Sequence, residues 1–459
     1  MRLFDAAMIK KLILILFVSY FSSAYAQTVK TDVLVIGGTP GGVAAAIQSA
    51  RSKVKTILVE RDSIPLIYEQ APGQSGQVFV SPGGTTNLNG NLSSGIWDEF
   101  RTRFRECHKG DKGLDTSHKS LLSVDSRSGG AILKKMMDSV KNLTVFTNST
   151  FLGIKKDNEY WEVTITQNGK PKVVRARVIV DATPNGVVLS GAGAASSTLD
   201  SILNTADSKL YRTAIAVGDG LPGQHYNDII APKGNYPPFP TYSIPMKAVV
   251  AKQVDNLLYT ENLFPTSPGI GALPRELTIG QGVGAIAAYC AFFKTTTKSL
   301  KVRIIQGELL DFKGCLLPFA DVPQKDRDWR AIQQVGAAGV LKGEKKESGF
   351  VFMADGPVAT AEIKPVLTEI YTRAFLWFEK EKPGEKFTVG NTLSLISDYT
   401  LTDPVVLNAR IKSDWKTRYQ FKLDFDTNRP ITRREFAVLI NRYLNPFART
   451  VDLKGNLVN

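Results

Sequence analysis

Apolar and polar positions along the chain first fall into a strand–turn–helix–strand order. Asp32-Val33-Leu34-Val35-Ile36 is a short apolar run of β-branched type, the pattern of a parallel strand buried on both faces. It stops at Gly37-Gly38-Thr39-Pro40-Gly41-Gly42, and Val43 to Arg51 is then alanine-rich, which predicts a close-packed helix. Lys55 to Val59 repeats the strand pattern and is closed by Glu60. This is the order of a dinucleotide-binding βαβ unit. Glycine at 37 permits the tight turn, glycine at 42 lets helix and strand approach, and the helix N-terminus faces a pyrophosphate. Glu60, about 20 residues on, is placed to accept hydrogen bonds from a ribose hydroxyl. Thr39 stands where G-x-G-x-x-G has its middle glycine. A glycine-rich turn of some other α/β protein is the competing reading.

Further along, Glu69 to Asn91 is dense in Gly, Pro, Ser and Asn and predicts a loop. An amphipathic helix follows from Ile96 to about Cys107, then a polar, irregular connection over His108 to Val124, then a helix over Ser128 to Val140 and a strand at Leu143 to Phe146. Thr150 to Lys155, Trp161 to Thr166 and Val173 to Ala176 alternate with period two. They are separated by Asp157-Asn158 and Asn168-Gly169, which are hairpin signals. The meander runs into Arg177-Val178-Ile179-Val180-Asp181-Ala182-Thr183. Tyr211 to Gly218 predicts a strand, Gly220 to Pro240 a Gly/Pro-rich loop, Asn256 to Thr260 a strand and Pro274 to Ala288 a helix rich in small residues.

The glycine turn, the meander and the Val-Ile-Val-Asp-Ala-Thr strand together resemble the flavoprotein oxidoreductases that bind FAD through a glutathione-reductase-like Rossmann domain. Among these the similarity is to bacterial FAD-dependent oxidoreductases that open G-G-T-P-x-G and carry I-D-A-T-G-D-G at a second site. Pro184 and Asn185 replace the usual Gly and Asp, with Gly186 retained, and Glu261-Asn262 replaces the Gly-Arg after Asn256-Leu257-Leu258. The resemblance covers about residues 31 to 293. It implies FAD as cofactor, with contacts from Gly37, Gly38, Thr39, Pro40, Gly41, Gly42, Glu60, Arg61, Asp181, Ala182 and Thr183, and with Gly280 and its helix near the isoalloxazine end. It also implies hydride transfer from a small-molecule substrate, although the substrate segment is far shorter than in that family.

The last third has a different character. Phe319-Ala320-Asp321-Val322-Pro323, a helix from Trp329 to Val335 and Gly339 to Gly343 lead to Pro357-Val358-Ala359-Thr360-Ala361-Glu362, which opens a helix running to about Phe378. Pro430-Ile431-Thr432-Arg433-Arg434-Glu435 repeats the opening ahead of Ala437 to Leu444, as N-cap chemistry before an apolar helix. The pattern resembles S-layer homology modules, with a nearly complete first copy and a second whose front half is replaced by Thr392 to Asp424. That resemblance implies an envelope polysaccharide as a partner. A helical domain packed on the flavoprotein and walling its active site is the alternative.

At the start, Lys10-Lys11, the apolar stretch Leu12 to Phe21 and Ala24-x-Ala26 form a signal-peptide pattern over residues 1–26, too short to span a membrane comfortably. An exported, periplasmic or cell-surface protein is expected. The formal charge is +14, with scattered lysines and arginines and no basic run with interleaved aromatics, so no nucleic-acid partner is expected. Three cysteines exclude a disulfide framework, and no His/Cys cluster has metal-ligand spacing. Of His108, His118 and His225, only His225 lies in the substrate segment. It is the candidate catalytic base, with a surface histidine as the competing reading.

The expected fold is therefore α/β: a Rossmann-like FAD-binding domain (27–200 and 241–300) with an inserted β-meander, a reduced substrate insert (201–240), a linker (301–318) and a C-terminal mostly helical domain (319–459). The expected function is an exported FAD-dependent oxidoreductase acting on a small, carbohydrate-derived hydroxyl or amine compound. The rival is a cell-surface or polysaccharide-binding protein whose flavoprotein-like domain is catalytically degenerate.

Overall fold

The computed structural model describes residues 28–63, 77–80, 94–109, 122–197, 209–219, 236–238, 241–263 and 273–458. The signal-peptide pattern, His118, His225 and most of the loop at 69–91 lie outside the described residues.

Strand β1 (Thr28–Ile36), helix α1 (Pro40–Arg51) and β2 (Thr56–Val59) form the first unit. Next come β3 (Gln77–Val80), α2 (Gly95–Cys107), β4 (Leu122–Asp125), α3 (Ser126–Asp138) and β5 (Leu143–Phe146). The segments expected to be loop and irregular connection contain β3 and β4, which pair antiparallel apart from the main sheet. Four-residue strands set among turn formers leave too short a period-two run to read from sequence. The meander is β6 (Ser149–Asp157), β7 (Tyr160–Gln167) and β8 (Lys170–Asp181), with Asn158, Asn168 and Gly169 at positive φ in its turns, as hairpins of this length require.

β8 changes neighbours along one edge: it runs parallel to β1 over Val173–Asp181, while on its other side it pairs antiparallel with β7 over Lys170–Ala176 and then parallel with β11 (Leu257–Tyr259) over Ile179–Asp181. The main path runs β5-β2-β1-β8-β7-β6. Burial along β8 changes accordingly, from exposed and alternating at Lys170 to continuous over Val178–Asp181. After β8 come the short helix α4 (Val187–Gly191) and the ribbon of β9 (Ala214–Asp219) and β10 (Thr241–Pro245). The single strand expected over Tyr211–Gly218 is instead a 3-10 turn at Leu210–Thr213 followed by β9.

Helix α5 (Leu273–Phe292) lies against α1 at very close range. A Cβ on Gly280 would stand 2.1 Å from the Gly41 carbonyl oxygen, and one on Gly284 would stand 2.5 Å from that of Ala45. These two contacts are one helical turn apart on each partner, so the backbones touch along a stripe of small residues.

The linker expected at 301–318 is not one. Val302–Asp311 is a helix, α6, whose Val302, Ile305, Leu309 and Leu310 recur at helical spacing and are buried, and Cys315, Leu316 and Leu317 are buried after it. Gln306 of α6 is fully buried, and its amide donates to the carbonyls of Arg212 (3.0 Å) and Ala214 (2.9 Å).

The C-terminal module comprises α7 (Trp329–Ala338), the hairpin β12 (Glu344–Lys346) and β13 (Gly349–Val351), α8 (Thr360–Ile370), α9 (Ala374–Glu381), α10 (Val389–Thr400), α11 (Pro404–Thr417) and α12 (Arg433–Tyr443). The one helix expected to run to Phe378 is two, because Tyr371 is extended between α8 and α9, with its buried hydroxyl donating to the Leu444 carbonyl (2.8 Å). The stretch at Thr392 to Asp424 holds the rest of α10 and the whole of α11. α8, α10 and α12 are each preceded by a short extended segment, and the three segments close a ring. Val358 N–H donates to Ile431 O (3.1 Å), Ile431 N–H to Phe387 O (2.9 Å), and Phe387 N–H to Val358 O (2.9 Å). Thr388 and Thr432 form capping boxes with Asn391 and Glu435. The first copy differs, with Ala359 as N-cap and the Thr360 hydroxyl donating to Gly384 O. The middle copy escaped the sequence pattern because it has neither the proline nor the glutamate.

The module docks on the turn before β9. Arg212 is 3% exposed and holds Glu369 of α8 with both terminal nitrogens (3.1 and 3.0 Å), joined by Lys209 at 2.7 Å. Burial pushes the Glu369 carboxyl up, but the two cations outweigh it and bring it down to about 2. One continuous core links both parts. Gln306→Ala removes the amide donor to the Ala214 carbonyl, while Arg303 still donates to that of Arg212 (3.1 Å); it should lower stability by about 1–3 kcal/mol, read as a fall in the denaturant midpoint of the full chain.

Candidate functional site

The site is the turn between β1 and α1, at the C-terminal ends of the parallel strands. Gly37 has φ +108°, and a Cβ there would lie 2.3 Å from the Ala182 carbonyl. A Cβ on Gly42 would lie 2.1 Å from Gly37 O and 2.7 Å from Ala182 Cβ. Both outer glycines are therefore fixed by contact with the end of β8, as the motif requires. Thr39, at the middle position, has φ −60° and ψ 161°, which any residue adopts. It is the N-cap of α1: its hydroxyl oxygen accepts from Gly42 N–H (3.1 Å) and its proton goes to Glu261 Oε1 (2.8 Å). Pro40 occupies the first helical position, where no N–H is needed.

Glu60 reaches back over the turn. Its carboxylate accepts from the Asp62 amide (2.8 Å) and from that of Gly38, where a Cβ would collide with Oε2. Burial raises its pKa, and those amides only partly offset the rise. Arg61 is more than half exposed beside Asp62 (3.6 Å), at the margin of the turn.

Asp181, 1% exposed, spends its carboxylate on the protein. Oδ1 accepts from the Thr183 amide (2.9 Å) and hydroxyl (2.6 Å), and Oδ2 accepts from Leu189 N–H (2.8 Å) at the start of α4. Burial raises its pKa against these bonds. Asp181 thus fixes the loop of Ala182 and Thr183, and Ala182 in turn supports Gly37 and Gly42. Gly280 is set by helix packing against Gly41, below the turn.

Glu261 is the participant that sequence reasoning left out. It follows β11, and Thr260 N–H donates to Asp181 O (3.1 Å), which throws the segment across the first turn of α1. Its Oε1 accepts from the Thr39 and Thr260 hydroxyls (2.8 and 3.2 Å). Burial raises its pKa, and Asp181 adds to the rise while the two hydroxyls and Arg275 oppose it. The signal was present in the sequence: the motif departs from glycine at 39 and at 261, and the two departures touch. His108 caps the C-terminus of α2, with Nδ1 2.8 Å from Phe104 O. Among the described residues there is no group of His, Cys, Asp or Glu that could hold a metal, and no helix long and apolar enough to cross a membrane.

The family described as FAD dependent oxidoreductase matches residues 32–201 and 196–309, well over half of the chain. The chain belongs to that family. The cofactor of that family is FAD. It is 24% identical over 162 residues to the digeranylgeranylglycerophospholipid reductase of Methanocaldococcus jannaschii, a match over 33% of this chain and 37% of that protein. The chain thus spans little more than a third of the length of the curated relative it matches. Similar solved structures include p-nitrophenol 4-monooxygenase PnpA from Pseudomonas putida DLL-E4 (11% identity, 62% of this chain and 84% of that one, TM-score 0.34). THI4 from Thermovibrio ammonificans is another (16% identity, 63% and 98%, TM-score 0.31).

Two outcomes follow from this geometry. Gly280→Ala should cost about 1–3 kcal/mol in chemical denaturation, whereas Gly153→Ala, whose Cβ would meet nothing within 4 Å, should stay within about 0.5 kcal/mol of wild type. Glu60, Asp181 and Glu261 all have raised pKa values in the folded protein, so the folded state holds protons that the unfolded chain releases. Their contribution to stability is full below the ordinary carboxylate range and is lost as pH rises through the folded values. The midpoint of unfolding of flavin-free protein, followed upward in pH from that range, should fall.

Proposed function

We propose that this family member is an exported oxidoreductase that takes a hydride from a small hydroxyl or amine compound of carbohydrate origin, with FAD held over the β1–α1 turn. The observation that carries this reading is the turn itself: two glycines pinned against Ala182, with the N-terminus of α1 directly behind. The residues fit the cofactor. The backbone of Gly37, Gly38, Thr39, Pro40, Gly41 and Gly42 would lie along the pyrophosphate, and a helix N-terminus favours that charge. Glu60 would take the adenosine ribose, with Arg61 at the margin. Asp181 would act through the loop it ties, placing Ala182 and Thr183. Gly280 would serve by letting α5 lie against α1 and aim its N-terminus at the flavin. FAD supplies the two-electron acceptor.

The chain's own part is to position the substrate and keep water out. The β9–β10 ribbon rests on α5, where Gly282 meets Ile215, and the C-terminal module braces the turn that starts it. A short substrate segment thereby gains walls from another part of the chain. His225 is retained as the candidate base for the substrate's proton. Export through the pattern at residues 1–26 and attachment to an envelope polysaccharide by the S-layer-like module are parts of the same reading. The ring joining α8, α10 and α12 supports the latter by giving the module three related units.

The rival, a flavoprotein-like domain without chemistry in a surface-binding protein, is favoured by one observation, the buried acid Glu261 against the turn. An absorbance spectrum decides between them. Full-length mature protein incubated with excess FAD and desalted should keep the flavin's visible bands and lose them on addition of the right substrate. Folded protein that keeps no flavin and sediments with cell-wall polymer would overturn the enzyme reading.

A further inference from the structure

Glu261 is an acid lodged at the pole of a helix that should attract a phosphate. It is 8% exposed, and its Oε1 lies 3.1 Å from where a Cβ on Gly41 would be, against the first turn of α1. Thr39 links it to the helix: the hydroxyl that accepts from the Gly42 amide donates a hydrogen bond to Glu261 Oε1. Both hydroxyl contacts converge on Oε1. A carboxylate in this place competes with a pyrophosphate for the same partial positive charge and repels it through a water-poor medium.

The charged groups around it do not relieve that conflict. Asp181 faces it from β8 and Glu60 overhangs the same turn from the end of β2, while Arg275 in the first turn of α5 is the opposing cation. Neutralising one acid does relieve it. A protonated Glu261 keeps its contacts through Oε1 and presents an O–H at Oε2, a donor where the carboxylate was a repelling charge.

We propose that Glu261 couples FAD binding to proton uptake, so that the loaded protein carries this carboxyl as the neutral acid. The proton comes from solvent, at most one per FAD bound. This rests on the placement of FAD over the β1–α1 turn. Between the titration of Glu261 in free protein and its higher titration in the complex, affinity falls as pH rises. It is level below the first and above the second, since both states then bind equal numbers of protons.

The test is calorimetric titration of FAD into flavin-stripped full-length protein from about pH 5 to about pH 9, in buffers of different ionisation enthalpy. Wild type, Glu261→Gln and Glu261→Gly are compared, with circular dichroism to confirm folding. Wild type should take up close to one more proton per FAD than Glu261→Gln, and its Kd should weaken by up to about tenfold per pH unit within the window. Glu261→Gln should bind with little pH dependence, and Glu261→Gly should match it. Equal proton uptake in wild type and Glu261→Gln overturns the coupling while leaving FAD in place. Weaker binding by both variants at every pH also overturns it, because Glu261 would then act as an anionic acceptor. Failure of all three folded proteins to bind FAD at any pH overturns the placement of the cofactor together with the coupling.

Discussion

The contact on which the structure depends is the near-touching of two helix backbones, α1 and α5. Side chains cannot be fitted between them at Gly41 and Gly280 or at Ala45 and Gly284. Because α1 starts at the turn and α5 starts after β11, this contact fixes the two ends of the family's fold to each other across more than two hundred residues of sequence. The same closeness brings the start of α1 under the segment carrying Thr260 and Glu261. Close packing of small residues thus decides which side chains stand against the first turn of α1.

The main sheet and its crossover helix were readable because their signals are local. A continuous apolar run, a glycine turn and asparagine-containing hairpins each report on a few neighbouring residues, and β1, α1, β2 and the meander follow directly. What was hidden depended on distant partners. The helix α6 falls in the stretch expected to be a linker although half of its ten positions are apolar, and its purpose appears only when Gln306 is seen to donate to the carbonyls of Arg212 and Ala214. The break at Tyr371 depends on a hydroxyl bonded to Leu444. The glycine positions of the site were visible, as was the acid Glu60. The duty of Asp181 was not, since its carboxylate turns inward to the loop after β8 instead of outward. Glu261 was seen only as a lost glycine, because nothing in a linear reading says that residues 39 and 261 share a hydrogen bond.

Placing the C-terminal module against the 3-10 turn before β9 changes what the two parts are to each other. Arg212 is buried under that turn and pairs with Glu369, and a buried charge of this kind tolerates no gap. The β9–β10 ribbon is therefore held from beneath by α5 and α6, and the turn that starts it is held from the side by α8. The module is part of the framework around the ribbon, whatever else its outer face contacts.

The ring of Val358, Phe387 and Ile431 has a consequence for how the chain acquires its form. A ladder can grow rung by rung, but a closed circuit of three donors and three acceptors has no end from which to zip. Without the strand before α12, Val358 has no acceptor and the carbonyl of Phe387 has no donor, so the earlier two segments keep only one of the three bonds. The third segment lies more than seventy residues beyond the first, and the loop entropy must be met before any return is gained. A ribosome making this protein must therefore pass the segment before α12 before the module can lock, and the flavin domain waits for its brace until then.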